Sequence, residues 1–301
     1  VINPDCVDYF KDQGIIPVLP RIKEPDEKWV STEHFLSYSM DDFTRIFIDN
    51  TPEISGNQRF KVLIDVANGH MTELYLLAAN AKNKYGYKME LMVGNVANPK
   101  TFLEYCKIDV DYIRIGIGNG NGCLTTVQTG VGYPMASLIE ECNDIRTNGH
   151  FTVNIVADGG FKKYSDVIKA LGLGADYVML GSIFNKALES AGETSREDGE
   201  IIIQHTKHAH NLFNANVPLY KTFRGMSTKD VQKAWGKDNL KTSEGVVRRH
   251  KVEYTLKGWT DNFESYLRSA MSYTGKKELH QFIGGVEFNM ITQNSFKRFD
   301  K

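Results

Sequence analysis

Short apolar runs, rich in valine and isoleucine, recur along the chain, each followed by glycine, asparagine or aspartate and then by a helical pattern. This alternation is typical of βα units, because strands of a buried parallel sheet are apolar on both faces. The runs predict seven strands: Ile15–Leu19, His34–Ser37, Lys61–Asp65, Glu90–Gly94, Tyr112–Gly116, Val153–Ala157 and Tyr177–Gly181. A chain of 301 residues suits a (β/α)8 TIM barrel with insertions, a fold that needs eight strands.

Two helices between these strands are predicted from local sequence. Apolar residues at helical spacing predict a helix over Thr72–Lys84. A second helix is expected to be capped by Ser165, to run to Leu171 and to end at Gly172.

The pattern changes after the last predicted strand. Ile201–Ile203 is expected to begin a hairpin, and Lys221–Gly245 to form a loop with a helix over Thr228–Trp235. Asn262–Gly275 is predicted to be the final helix. We therefore interpret residues 1–301 as one catalytic barrel domain with an excursion over residues 191–220 and a flap over residues 225–245.

Charge and composition exclude several classes of protein. The formal net charge is −1, so no global basic field is present to hold nucleic acid through its phosphates. No apolar run approaches the roughly 18 residues of a membrane span, and no signal peptide is visible. The four cysteines form no Cys-x-x-Cys pair, as expected in a reducing compartment. We expect a cytoplasmic protein with no nucleic-acid or membrane partner.

The glycine-rich segment GIGNGNGCLTTVQTGVG, residues 116–132, is the most informative stretch for chemistry. It follows a predicted strand, where the loops of such barrels carry catalytic groups. Glycines allow close backbone approach to a ligand, and backbone amides can stabilise a thiolate. Cys123 is thus a candidate nucleophile, with the hydroxyls of Thr125 and Thr126 beside it. The alternative is a buried structural cysteine.

Two further turns predict phosphate binding. Asp158, Gly159 and Gly160 follow one of the last two predicted strands, and Gly181 and Ser182 follow the other. Loops in these positions frequently bind phosphate through backbone N–H groups. Each turn by itself is equally explained as an ordinary tight turn.

Two other groups of polar residues are weaker candidates. The turn from Asp65 to Gly69 also ends a strand, but by itself it is better explained as an ordinary turn. His205, His208 and His210 suggest a metal site, yet they lack a fourth ligand, which favours a solvated excursion.

The glycine-rich loop ending in Thr-Gly-Val-Gly, followed in order by ADGG, VMLGS, FRGMS and SEG, resembles the IMP dehydrogenase/GMP reductase family. The resemblance spans nearly the whole chain. The family carries Met-Asp-Thr at the end of its first barrel strand, just before a stretch that Val1–Pro4 resembles. We therefore expect the missing strand, which is the first strand of the barrel, to lie upstream of Val1. The paired regulatory module of most IMP dehydrogenases is absent.

Within that family, three features favour GMP reductase. The DVANG turn and the sequence KTSEG resemble the reductase versions of those motifs. The segment from Gly225 to Gly245 is short and lacks the Arg-Tyr pair that activates water in dehydrogenases. The resemblance implies NADPH-dependent reductive deamination of GMP to IMP and ammonia through a Cys123 thioimidate, with Thr125 and Glu244 handling the protons of the leaving ammonia.

The resemblance also implies binding roles for other residues. Those expected to hold the nucleotide are Asn121, Asp158, Gly159, Gly160, Gly181, Ser182, Gly225, Met226 and Ser227. Those expected near the cofactor are Arg21, Asp65, Ala67, Asn68, Gly69 and Lys241. Relatives further imply a homotetramer and a potassium ion held by backbone carbonyls of Gly118, Gly120 and Cys123.

Several positions depart from the family pattern. Asn121 replaces a serine that helps to bind phosphate, Thr126 replaces a basic residue, and Lys241 replaces an arginine of the reductases. Arg21 stands where a His-Lys pair is usual, and the excursion from Ala191 to Tyr220 is longer than typical. Three alternatives stay open: an IMP dehydrogenase, a reductase acting on a modified purine nucleotide, and a non-catalytic nucleotide-binding barrel.

Overall fold

A parallel sheet forms the centre of the molecule. The computed structural model describes residues 1–120, 123–224 and 247–299. Within these ranges, seven strands pair in parallel and in sequence order. They are β1 (Val18–Leu19), β2 (Phe35–Tyr38), β3 (Phe60–Asp65), β4 (Met89–Val96), β5 (Tyr112–Ile115), β6 (Asn154–Asp158) and β7 (Tyr177–Met179). These seven parallel strands confirm the expected fold class and correspond to seven of the eight strands of a (β/α)8 barrel.

Helices connect the strands, as the alternating pattern predicted. After a short 3-10 turn over Pro4–Cys6, the helices within this part of the chain are α1 (Val7–Lys11), α2 (Met40–Phe43), α3 (Thr72–Tyr85), α4 (Pro99–Lys107), α5 (Thr125–Thr129), α6 (Met135–Asn148) and α7 (Tyr164–Leu173). A π-helical turn over Thr44–Asp49 continues α2. The helix predicted over Thr72–Lys84 is α3.

Alternate residues of each strand enter two separate hydrophobic clusters. Val62 and Ile64 of β3 belong to the large cluster that also holds the helices, whereas Leu63 belongs to a small cluster. The small cluster comprises Phe35, Leu63, Met92 and Val156, from four different strands. Since side chains alternate between the faces of a strand, this small cluster marks the sheet face opposite to the helices.

Helix α7 differs in both of its ends from the prediction. It begins after Lys163, so Ser165 lies inside its first turn, and it ends at Gly174, which has φ +118. Gly172 is buried within the helix, and a Cβ there would lie 2.7 Å from Val286 Cγ2 and 2.8 Å from Phe288 Cζ. The glycine therefore makes room for the C-terminal segment instead of ending the helix.

An antiparallel sheet and a helix follow the barrel strands. The hairpin begins at β8 (Thr194–Arg196), and β9 (Ile201–Ile202) is its second strand, contrary to the prediction that Ile201 begins it. Helix α8 (Lys207–Asn214) leads to β10 (Leu219–Arg224), which pairs with β8 and β11 (Val247–Lys251). Lys221–Arg224 is thus strand and not loop, whereas the helix predicted over 228–235 lies outside the described residues.

The helix predicted over Asn262–Gly275 is longer at its start and is not the last one. It is α9 (Leu256–Tyr273), and Thr255 caps it by accepting a hydrogen bond from the Gly258 amide at 3.1 Å. Two short helices follow, α10 (Leu279–Phe282) and α11 (Gln293–Phe299). Within the described ranges, none of the helices combines the length and the apolar composition that a bilayer crossing requires.

We predict that Phe47→Ala destabilises the protein by about 3 to 5 kcal/mol, because the side chain is fully buried among four aromatic rings. Urea unfolding followed by circular dichroism measures the loss. The matched control is Phe296→Ala, where the side chain is 46% exposed, and we expect a loss of about 1 kcal/mol or less. Equal losses in both variants would contradict this packing.

Candidate active site

The loops that follow β5 and β6 meet backbone to backbone at the carboxyl ends of the strands. A Cβ on Gly159 would lie 3.0 Å from the Gly120 amide nitrogen, and one on Gly160 would lie 2.9 Å from the Asn119 carbonyl oxygen. Both glycines have positive φ, +94 and +90. Only glycine allows this conformation together with such a close approach. The Cys123 loop and the Asp158–Gly160 turn are therefore in direct contact and form one candidate site.

Cys123 lies close to this contact between the two loops. Its amide donates a hydrogen bond to the Gly120 carbonyl at 2.9 Å, which places it one tight turn from the contact with Gly159. Its Sγ lies 3.2 Å from Thr125 Oγ1, and Thr125 is the first residue of α5. The side chain is half-buried, which leaves part of it accessible to a ligand. The structure thus places the Cys123 thiol and the Thr125 hydroxyl side by side.

The other three cysteines are in a different environment. Cys6, Cys106 and Cys142 are buried. Burial raises the pKa of the Cys106 thiol to about 12, and it also raises the pKa values of Cys6 and Cys142. A buried thiol with a raised pKa is a poor nucleophile, because the thiolate is the reactive form. Cys123 is therefore the cysteine that is suited to covalent chemistry.

An arginine links the strands beneath these loops. Arg114 Nη2 donates to Asp65 Oδ1 at 2.7 Å, and Arg114 Nε lies 3.5 Å from Asp158 Oδ2. Asp65 lies two residues after Leu63 and Asp158 two residues after Val156, so both carboxylates extend the face of the small cluster. The arginine thus joins the ends of β3, β5 and β6.

Asn95 completes this polar group. Its Nδ2 donates to the Gly116 carbonyl at 2.7 Å and to Asp158 Oδ2 at 2.8 Å, while its Oδ1 accepts from Arg114 Nε at 2.6 Å. Asn95 is 9% exposed, so these bonds satisfy an amide that has little contact with water. The amide thereby fixes the start of the glycine-rich loop relative to Asp158.

The charges of this group compensate one another. Burial by itself would lower the pKa of Arg114, but the carboxylates of Asp65 and Asp158 together raise it, so the arginine stays charged. Arg21 is also paired with Asp65, so two cations balance two anions at this edge of the sheet. Removing one partner of such a buried group typically costs about 3 to 5 kcal/mol.

The second predicted phosphate turn lies beside the first. Asp158 pairs with Met179, so the turns after β6 and β7 leave the sheet at the same edge. Gly181 is exposed and its carbonyl accepts from the Asn185 amide at 3.1 Å. Asp166 accepts bonds from the Lys162 and Lys163 amides, which occupies the amides ahead of α7. These two amides are therefore not available to an anion, and phosphate binding by the glycine turns and Ser182 stays a prediction.

Most of the residues predicted for the cofactor lie in the turn after β3, from Asp65 to Gly69, and Arg21 contacts this turn. Arg21 Nε lies 3.4 Å from Asp65 Oδ2, so the structure pairs two of them directly. Ala67 and Asn68 are exposed, and Asn68 Oδ1 accepts from the His70 amide at 3.1 Å. Gly69 is buried with both backbone groups bonded, to the Asn95 carbonyl and the Tyr105 hydroxyl. The bond to Asn95 holds this turn against β4.

Metal binding by side chains finds no support in the excursion. Over the described residues, no three His, Cys, Asp or Glu side chains are placed to hold a metal ion. His205 instead stacks on Tyr9 at 4.9 Å, and His208 and His210 lie on α8. In the glycine-rich loop, the Gly120 carbonyl accepts from the Cys123 amide, and carbonyl oxygen can accept a second ligand. The potassium site expected at Gly118, Gly120 and Cys123 stays a prediction.

Several predicted site residues cannot be located. Six of them lie outside the described residues: Asn121, Gly225, Met226, Ser227, Lys241 and Glu244. Sequence reasoning also missed two residues, Arg114 and Asn95. The signal was present in both cases, since each is a polar residue inside an otherwise apolar run, YIRIG and LMVGNV. A buried polar residue in such a run requires partners, which points to a site.

The chain is similar to known proteins over most of its length. Residues 57–299 match the family model described as the IMP dehydrogenase / GMP reductase domain. The chain is 32% identical over 240 residues to GMP reductase 1 of Mus musculus and to GMP reductase 2 of Homo sapiens. It is also 32% identical over 243 residues to the inosine-5'-monophosphate dehydrogenase of Chlorobaculum parvum.

Each of these matches covers 77% of this chain, but only 62%, 61% and 45% of the respective relative. The chain thus spans less than two thirds of the length of these relatives. The extent of the family match and the level of identity are nevertheless sufficient to assign the family. The chain belongs to the IMP dehydrogenase/GMP reductase family.

Proposed function

We propose that this protein is a purine nucleotide oxidoreductase that catalyses NADPH-dependent reductive deamination of GMP to IMP and ammonia. The observation that carries this proposal is the contact between the Cys123 loop and the Asp158–Gly160 turn, with Cys123 as the accessible thiol. The two sites that the reaction requires, one for the base and one for the ribose phosphate, are then adjacent.

In this mechanism the Cys123 thiolate adds to C2 of the guanine base, and the amino group leaves C2 as ammonia. The carbon–nitrogen bond breaks as the sulfur–carbon bond is retained, which gives a thioimidate on the enzyme. An amine leaves well only when protonated, so a positioned acid is needed. Thr125, 3.2 Å from the sulfur, and Glu244 are the proposed proton carriers.

The nucleotide is held by the neighbouring turns. Asp158 accepts hydrogen bonds from ribose hydroxyls, and the amides of Gly159, Gly160 and Gly181 face the phosphate together with Ser182. Asn121, Gly225, Met226 and Ser227 are proposed to complete the contacts to phosphate and base. The positive φ of Gly159 and Gly160 supports this role, since turns of successive exposed amides bind anions.

The cofactor is proposed to lie along the turn from Asp65 to Gly69. NADPH supplies the hydride that reduces C2 and releases the cysteine. The exposed Ala67 and Asn68 fit a surface for a nicotinamide amide. Arg21 is already paired with Asp65, which leaves Lys241 as the better candidate for the phosphate of the cofactor. A potassium ion on the loop carbonyls and a homotetramer belong to the same proposal.

We expect Cys123→Ala to lower kcat for GMP reduction by about three orders of magnitude or more, because no nucleophile remains to displace the amino group. The assay follows NADPH absorbance and ammonia release. The matched control is Cys142→Ala, which removes a buried thiol far from ligand chemistry and leaves kcat nearly unchanged. A Cys123→Ala protein with normal turnover would rule out the mechanism.

We expect GMP, and not IMP with NAD, to drive the reaction. With GMP and NADPH, the protein should release one ammonia for each NADPH oxidised. With IMP and NAD it should form no reduced cofactor, since residues 225–245 contain no Arg-Tyr pair to activate water. The opposite result would identify a dehydrogenase.

Two further outcomes test the remaining alternatives. Faster turnover of a modified guanine nucleotide than of GMP would identify a different purine substrate. GMP binding by calorimetry without turnover of any of these nucleotides would identify a non-catalytic barrel.

We expect Arg114→Met to raise KM for both GMP and NADPH, because it leaves the carboxylates of Asp65 and Asp158 without their shared cation. The free energy of unfolding should fall by about 3 kcal/mol. Arg114→Lys keeps the charge but loses the forked geometry, so it should recover the stability more than the KM values.

Alkylation of Cys123 by iodoacetamide separates positioning from general damage. Within the described residues, Arg114 forms no hydrogen bond or ion pair with Cys123, so Arg114→Met should leave the alkylation rate nearly unchanged. A large change in that rate would indicate that the loop itself has collapsed.

A further inference from the structure

A cavity of about 430 Å³ is lined by residues that do not belong to the Cys123 loop. It is bounded by Asn3 and Asp5 on one side and by the hairpin of β8 and β9 on the other. Much of its lining comes from the excursion, which is longer than is typical of the family. Among the described residues, none that lines this cavity belongs to the candidate active site.

The pairing of the strands defines the inner wall of this cavity. Thr194 of β8 pairs with Lys221 of β10 on one side and with Ile202 of β9 on the other. Residues directly opposite each other in antiparallel strands point to the same face of the sheet. Thr194, Ile202 and Lys221 thus share one face, and the first two line the cavity.

Two polar atoms at this wall lack partners within the described part of the chain. Thr194 is 1% exposed, and its Oγ1 has no hydrogen-bond partner. His205 Nδ1 is likewise buried and unpartnered, although Tyr9 holds the ring by stacking at 4.9 Å. An unsatisfied buried polar group typically costs about 1 to 3 kcal/mol, so a ligand that meets these atoms would gain affinity.

The cavity has an acidic rim. Asp5 and Glu193 line it, and neither makes an ion pair with another residue of the described ranges. Among the lining residues that the structure describes, there is no lysine or arginine. The buried Lys221 amine is directed to the Ser190 carbonyl, to which it donates a hydrogen bond. The lining therefore offers acceptors and negative charge.

His205 acts as an acceptor at this site. Burial lowers the pKa of its imidazole, and the charge of Lys221 lowers it further. The ring is consequently neutral near pH 7, and a neutral imidazole has one bare nitrogen that accepts a hydrogen bond.

We propose that this cavity binds a small organic cation whose amino or guanidino N–H groups are received by Asp5, Glu193, Thr194 and His205. The exposed apolar side chain of Ile203, which also lines the cavity, provides a surface for a short methylene chain. The site is independent of the proposed reductase activity, since none of these residues belongs to the mouth of the barrel.

Calorimetric titration of the full chain with agmatine tests this proposal. Agmatine should bind, whereas 4-guanidinobutyrate, which has the same length but ends in a carboxylate, should bind at least about tenfold more weakly because of the acidic rim. Cys123→Ala should bind agmatine normally while losing turnover, so this site and the reductase site are tested separately. No binding of agmatine at millimolar concentration would overturn the proposal.

Two variants identify the groups involved. Glu193→Gln should weaken agmatine binding by roughly tenfold through loss of a charged acceptor, while Glu197→Gln, an exposed residue of the same hairpin, should not. Thr194→Val should raise the melting temperature without ligand, because it removes an unsatisfied hydroxyl, and it should weaken binding. Unchanged affinity in both Glu193→Gln and Thr194→Val would place agmatine elsewhere and refute the proposed site.

Discussion

The ion pairs of Arg114 with Asp65 and Asp158 are the interaction on which the candidate site depends. Without the arginine, two carboxylates would face each other on the inner side of the sheet with little water to screen them. With it, the ends of three strands are held in register by charged hydrogen bonds, and Asn95 extends the group to the first residue of the glycine-rich loop. The position of the loop is therefore fixed from below by electrostatics and not only by its own turns.

This arrangement explains why rigid strands and a glycine-rich loop occur together. The loop has few side chains with which to fix itself, so its first residues are placed by neighbouring elements: the Gly116 carbonyl accepts from Asn95, and Gly120 lies against Gly159. A half-buried thiol on such a loop can be held close to a ligand without being packed into the core. The three other cysteines, which are buried between helices and strands, serve the packing instead.

The sequence was most informative where a period or a motif acts locally. All seven strands of the described parallel sheet were predicted, because a short continuous apolar run is typical of a strand that is buried on both faces. The joining of the Cys123 loop to the Asp158–Gly160 turn followed from the fold, since both leave neighbouring strands. The prediction missed Arg114 and Asn95, because their importance comes from partners 19 to 63 residues away that only the assembled sheet brings near. It also misplaced the ends of α7, where contacts with distant residues outweighed local capping preferences.

Gly172 shows how such a distant contact constrains a helix. A glycine inside a helix costs about 1 kcal/mol relative to alanine, so its presence in α7 reflects a requirement from elsewhere. That requirement is the passage of Val286 and Phe288 across the helix surface. The last turn of α7 and the chain beyond α10 are consequently bound to change together during evolution: a larger residue at one place demands a smaller one, or a detour, at the other.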